Sequence, residues 1–275
     1  MRRFLLFALF ALVPLACSTQ MASQSAKVDT GKIDDYPPPV EVDDTGKGKG
    51  PQPNEAGWVQ LFNGKDKTGW HTLPDAPGKW EVSFGVLTGS SPELSFLYSD
   101  RDDYQNFHVR MEAKASDKCD SGLFFRASKP EKAGKKGPGN PKGYEAQINN
   151  TGMGGMGGSM TGSLLIGGGG GGGKTSVSEK LVEPDAWYIH EVIADGNRIK
   201  ILVNGKVTVD YTDVSTKGGP TKGHFAIQSK APLADKADKA AKKAGKKGGA
   251  PEAGIPQIIY VRKLEIKELP PTSGK

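Results

Sequence analysis

Glu145 and Gln147 are the residues of this chain best suited to chemistry. They lie in Gly143-Tyr144-Glu145-Ala146-Gln147-Ile148, a segment with the period of a strand. Side chains in a strand alternate faces, so Tyr144, Ala146 and Ile148 point one way and the carboxylate and amide the other. A second segment, Asp120-Ser121-Gly122-Leu123-Phe124-Phe125-Arg126, sets Leu123 and Phe125 on one face and sends Arg126 away from them. If the two strands are neighbours, Glu145, Gln147 and Arg126 share a polar surface. That surface suits an uncharged, oxygen-rich ligand such as a sugar. An ordinary solvated sheet face with an Arg126–Glu145 cross-strand pair fits the same pattern.

The rest of the ordered sequence also has period two, not 3.6. Order begins at Trp58-Val59-Gln60-Leu61-Phe62, and the turn signal Asn63-Gly64 follows at once. Lys79 to Ser83 and Gly85 to Leu87 read as strands. From Phe107 to Ala115, Phe107, Val109, Met111 and Ala113 alternate with His108, Arg110, Glu112 and Lys114. Trp187 to Ala194, Arg198 to Val203 and Lys206 to Tyr211 form a meander, joined by Asp195-Gly196-Asn197 and by Asn204-Gly205. Gly223 to Ser229 and Ile258 to Leu269 complete about a dozen strands. The last alternates imperfectly, which predicts a bulge near Arg262. No long amphipathic helix is present. The expected fold is all-β, an antiparallel sandwich of two sheets, one of which curves to leave a polar concave face.

The 275 residues carry a net charge of +6, unevenly spread. Residues 128–143 hold five lysines against one glutamate, and 230–249 hold seven lysines against two aspartates. Both stretches are rich in Gly, Pro or Ala and poor in large apolar residues, so they read as exposed loops. Lysine-rich loops can touch anionic polymers or headgroups, but a solvated insertion is the plainer reading. Neither stretch interleaves aromatics with its lysines, and no nucleic-acid partner is expected. The seven glycines from Gly167 to Gly173 lack the Lys-Ser/Thr pair and following helix of a phosphate-binding loop. His71, His108, His190 and His224 show no paired spacing of metal ligands. Cys119 beside Asp120 is a poor thiolate, because the carboxylate disfavours its ionisation.

Arg2 and Arg3 followed by the apolar run Phe4 to Val13 read as a secretory leader. Its end, Pro14-Leu15-Ala16-Cys17-Ser18, resembles a bacterial lipoprotein signal. Pro14 and Leu15 depart from that pattern, and cleavage near Ala16 or Ala22 is the alternative. Lipidation at Cys17 leaves Cys119 without an intramolecular partner, whereas an unlipidated Cys17 could pair with it. The expected divisions are a leader at 1–17, a polar linker at 18–56, one domain at 57–269 and a tail at 270–275. Flexible inserts are expected at 128–143, 152–174 and 230–254. The expected location is the cell envelope, periplasm or outer membrane, with a membrane contact through the lipid.

A series of segments in order resembles the 3-keto-disaccharide hydrolase family, once known only as a domain of unknown function. The opening Leu61-Phe62-Asn63-Gly64-Lys65-Asp66-Lys67-Thr68-Gly69-Trp70 is similar to the family's own. Trp80 to Thr88 resembles its Trp-x-Val-x-x-Gly-x-Leu segment. Asp120 to Arg126 resembles its Asn-Ser-Gly-hydrophobic-Phe-x-Arg strand, with Asp for Asn, and Gly143 to Ile148 its Gly-Tyr-Glu-x-Gln-Ile strand. Trp187, Asn204-Gly205, Gly223 to Gln228 and Arg262 to Leu269 follow in order. The resemblance implies a concanavalin-like or laminin-G-like jelly roll, a saccharide substrate, and hydrolysis of glycosides oxidised at C3. The family's Gly-Ala-hydrophobic-Tyr segment stands here as Gly162-Ser163-Leu164-Leu165, without the tyrosine.

A C3 ketone acidifies the proton on C2, so a carboxylate that removes it lets the C1 substituent leave by β-elimination, after which water adds back. In the expected site Glu145 is the base or acid and Arg126 holds the developing oxyanion. Gln147, Gln228 and Asp120 contact the sugar. His224 shares a face with Ala226 and Gln228. It serves as a second acid–base group, as a divalent-metal ligand with Glu145, or only as the cap of a sheet edge. A carbohydrate-binding sandwich without turnover and an envelope protein that binds anionic polymer are the competing readings.

Overall fold

The alternation from Phe107 to Ala115 is realised as a nine-residue strand whose residues are buried and half-buried in turn. The structure is a computed structural model. It describes residues 54, 56–135, 137–150, 159–167, 173–215, 219–230 and 254–270. The expected leader with Cys17, the linker up to residue 53, segments 151–158, 168–172 and 231–253, and the tail beyond Pro270 lie outside the described residues.

Fifteen strands are seen among the described residues: β1 Val59–Gln60, β2 Trp70–His71, β3 Trp80–Ser83, β4 Val86–Gly89, β5 Ser95–Ser99, β6 Phe107–Ala115, β7 Asp120–Ala127, β8 Tyr144–Asn149, β9 Leu164–Ile166, β10 Gly173–Thr175, β11 Tyr188–Asp195, β12 Arg198–Val203, β13 Lys206–Thr212, β14 His224–Ser229 and β15 Ile259–Glu268. They form two antiparallel sheets. One runs β13-β12-β11-β6-β15-β4-β3, with β1 also on β15; the other runs β10-β9-β8-β7-β14-β5-β2. This is the expected two-sheet jelly roll. The meander is β11, β12 and β13. Its second turn places Asn204 and Gly205 both at positive φ, as an Asn-Gly hairpin turn demands. The register of β15 on β6 shifts between Val261 and Lys263, which puts the predicted bulge at Arg262.

The main core lies between the sheets. Phe107, Val109, Met111 and Ala113 of β6 meet Leu123 and Phe125 of β7, Tyr144, Ala146 and Ile148 of β8, and Phe225 and Ile227 of β14. Phe107 packs edge-on to Phe225 at 4.9 Å, and Phe125 stacks on Tyr144 at 5.4 Å. Each such ring contributes about 2–3 kcal/mol by leaving water.

Every residue of β7 and β8 is buried, although an antiparallel strand commonly wets one face. The cover on the outer face is a second cluster. Phe96, Tyr98, Phe124, Ala127 and Ala226 pack there beneath Leu73, Ala76, Leu94 and Ala133. Ala133 belongs to the lysine-bearing loop 128–143, which was expected to be solvated. Lys132 and Lys135 are exposed, but Pro141 is buried and Ala133 packs on the sheet. The loop's small apolar residues do the packing, while Lys132, Lys135 and Lys142 lie on the outside. Segment 152–174 is not wholly a loop either, since β9 and β10 pair within it and carry the second sheet beyond β8.

Candidate active site

β7 and β8 are neighbours, which meets the condition for a shared polar face, with Phe124 opposite Glu145 and Gly122 opposite Gln147. Asp120, Gly122 and Phe124 therefore share the outer face with Glu145 and Gln147. On the other flank of β7, β14 pairs Ala226 with Phe124 and Ile227 with Leu123. One step on, Gln228 stands abreast of Gly122, and Lys230 follows on the same face. Gly122 is thus the floor of a small basin walled by Glu145, Gln147, Gln228, Asp120 and Lys230.

The floor has to be glycine. A Cβ there would lie 2.8 Å from Glu145 Cγ and 3.0 Å from Cδ, closer than carbon atoms pack. The Glu145 side chain folds down over the bare backbone, and the residue is only 3% exposed. Burial pushes its pKa up to about 8; the nearby Lys230 ammonium opposes the rise and Asp120 adds to it. A carboxyl poised near neutrality can both take and return a proton.

The Lys230 ammonium pairs with Asp120 Oδ2. Two acceptors of the basin, Asp120 Oδ1 and Gln228 Oε1, are buried without a partner among the described residues. An acceptor left so costs about 1–3 kcal/mol, which a hydroxyl donor from a ligand would recover. Gln147 Oε1 accepts from the backbone N–H of Ile148 at 3.1 Å, and Gln228 Nε2 donates to Asn140 Oδ1 at 3.3 Å.

Arg126 does not join this basin, which corrects the expected Arg126–Glu145 surface. Between the pairs Ala226–Phe124 and His224–Ala127, the single residue Phe225 faces both Phe125 and Arg126. The extra residue is a bulge, and Arg126 takes a positive φ of 47° within it. Its side chain consequently turns to the inner side of the sheet. There Nε and Nη2 donate to Gln105 O at 2.9 and 2.6 Å, and Nη1 to Pro220 O at 3.4 Å. The guanidinium clasps two loops, and burial holds its pKa below the usual range. Lys230 is the cation beside Glu145 instead. It stands two residues past Gln228, so alternation was signal enough to find it. Gly122 was visible in the motif, whereas nothing in the sequence marked Asn140.

His224 keeps the outer face but lies two strands from Glu145 and two residues along, about 12 Å away by strand spacing. Its Nδ1 bonds to Ser99 O at 2.8 Å, and its ring packs edge-on to Tyr98. That geometry does not fit a metal shared with Glu145. Among the described residues, no three His, Cys, Asp or Glu side chains gather to hold one. Leu165 pairs with Glu145 from β9, at the position where the resembled family's segment carries tyrosine. Cys119 is buried and its thiol is pushed up to about 12, by burial first and Asp120 second.

A family model described as a 3-keto-alpha-glucoside-1,2-lyase-like domain matches residues 57–237. No protein of curated function matches the sequence. Among solved structures, the chain is similar to a candidate glycosyl hydrolase from Parabacteroides distasonis ATCC 8503, with TM-score 0.53 and 18% identity over 78% of this chain and 95% of that one. It is also similar to the exoplasmic/lumenal domain of VIP36 in its Ca2+/Man3GlcNAc-bound form, with TM-score 0.51 and 8% identity over 81% of this chain and 92% of that one. At such identities the likeness is one of fold, and both agree with the jelly roll.

Proposed function

The chain belongs to the 3-keto-alpha-glucoside-1,2-lyase-like domain family, and on that premise we propose that it cleaves glycosides already oxidised at C3. The observation that carries the reading is the Glu145 carboxyl, buried on Gly122 beside Lys230, with its pKa raised to about 8.

The ionised carboxylate removes the C2 proton, and the electron pair passes into the C2–C3 bond as charge moves to the C3 oxygen. The Lys230 ammonium, held by Asp120, faces that charge and stabilises it. The pair then returns to form the C1–C2 double bond as the C1–O bond breaks. Glu145, now protonated, hands its proton to the departing oxygen. Addition of water across C1–C2 completes hydrolysis. Gln147 and Gln228 hold ring hydroxyls in this scheme.

Replacement of Glu145 by Gln keeps the shape and removes the titrating group. General acid–base catalysis contributes about 100- to 10,000-fold, and a loss of that size in cleavage of a methyl 3-keto-glucoside is expected. Unchanged turnover in the variant overturns the reading. Saccharide binding without turnover by the wild type replaces it with a non-catalytic one.

The leader at residues 1–17 supports export, with Cys17 as the lipid attachment in the cell envelope. Mass spectrometry of the mature N-terminus tests this. A first residue other than lipid-bearing Cys17 refutes the anchor.

A further inference from the structure

The loop that leaves β7 and returns to β8 crosses the outer face above the candidate site. Its described residues are 128–135 and 137–142. At its start the Lys129 ammonium meets His71 Nε2, while His71 Nδ1 is held by Asp100 Oδ1 at 2.5 Å. Further on, the Ala133 N–H is shared by the two carboxylate oxygens of Asp75 at 2.8 and 2.9 Å, and Ala133 packs on the outer apolar cluster. Asn140 then reaches Gln228 on β14. Pro141 O sits against Gly167, just beyond β9, where the Phe124 ring of β7 also arrives. Since β8 lies between β7 and β9, the loop passes over β8 where Glu145 stands.

Its attachments are of the kind that release. Two are polar contacts, Lys129 with His71 and the Ala133 N–H with Asp75, one is the long 3.3 Å bond of Asn140, and the apolar contacts are made only by the small residues Ala133 and Pro141. Gly137 and Gly139 lie at positive φ with open space where a side chain would be, so the chain can pivot there without a clash. The bond to Asn140 uses only Gln228 Nε2. Gln228 Oε1 remains buried without a partner among the described residues, and so does Asp120 Oδ1.

We infer that this loop is a lid on Glu145, and that Asn140 occupies on Gln228 the place of a ligand hydroxyl. A sugar hydroxyl both accepts and donates. Two neighbouring hydroxyls can therefore take the Nε2 donor from Asn140 and satisfy Oε1 as well, which Asn140 Oδ1 cannot do. The exchange favours ligands with adjacent hydroxyls and couples their entry to release of the loop. The ligand class rests on the function proposed above; the lid itself does not.

Hydrogen–deuterium exchange on the full chain tests the lid. The Ala133 amide, and the Ser128 amide bonded to Lys142 O at 2.7 Å, should exchange at least tenfold faster than the ladder amides of β7 and β8. Exchange of the loop only in step with β7 and β8 overturns it. The Asn140→Ala variant tests the displaced contact. A neutral hydrogen bond is worth about 0.5–1.5 kcal/mol, so kcat/KM for a methyl 3-keto-glucoside should rise about two- to tenfold. A fall overturns the displacement. If neither form turns the keto-glucoside over, affinity for methyl glucoside decides the displacement by the same rise or fall, and only the catalytic reading is lost.

Discussion

Glu145 and Gly122 interlock on adjacent strands: the carboxyl of one fills the space that any side chain on the other would need. A methyl group at Gly122 must push the carboxyl off the floor. Gly122→Ala is expected to cost about 1–3 kcal/mol through overpacking and to lower turnover at least tenfold. Thermal unfolding and kcat on a 3-keto-glucoside check both, and an active, unperturbed variant contradicts the packing.

The raised pKa of Glu145 sets the sign of a pH effect. The folded protein binds this proton up to pH of about 8, and the unfolded chain releases it near 4.5. Its contribution to stability is therefore complete below about 4.5 and is lost as pH rises to 8, by up to about 5 kcal/mol. Glu145→Gln should match wild type at pH 4.5 and exceed it at pH 9 in urea denaturation. Wild-type kcat/KM should climb through the same upper range as the base form appears.

His190 gives the opposite slope. It is fully buried on the inner face of β11, with neither ring nitrogen hydrogen-bonded among the described residues, and burial lowers its pKa to about 4. The neutral ring is tolerated, so its contribution is intact above about 6.5 and declines as pH falls to 4, by no more than about 3 kcal/mol. His190→Met should flatten that acid limb in equilibrium unfolding. An unchanged limb would show that the ring is solvated.

The two cations should separate by variant. Arg126→Lys loses the forked bonds to Gln105 O. It is expected to lose about 1–3 kcal/mol of stability with kcat unaltered. Lys230→Ala should keep the melting temperature within a few degrees and drop kcat at least tenfold. The reverse outcome would restore Arg126 to the oxyanion.

Much of this was legible before the fold was known. β6 and the meander β11 to β13 are half-buried, so period two shows their faces directly. The faces of β7 and β8 were legible too, although their pairing entered only as a condition that the structure meets. The direction of Arg126 was not legible, because a bulge exists only where a strand meets a partner of different register. The lid was hidden for another reason: lysines suggest solvent, while Ala133 and Pro141, which carry the packing, are too small to register as core. Lys230 fell in step with Gln228 but was read as the start of the lysine-rich insert.

The bulge at Arg126 amounts to a phase choice. In an unbulged strand of the same sequence, Arg126 would turn outward beside Phe124, and Ala127 would turn inward. A single residue of chain thus decides whether a guanidinium belongs to the framework or to the ligand. Sheets of this design that lack the extra residue would offer their ligands a different charge, with every motif still in place.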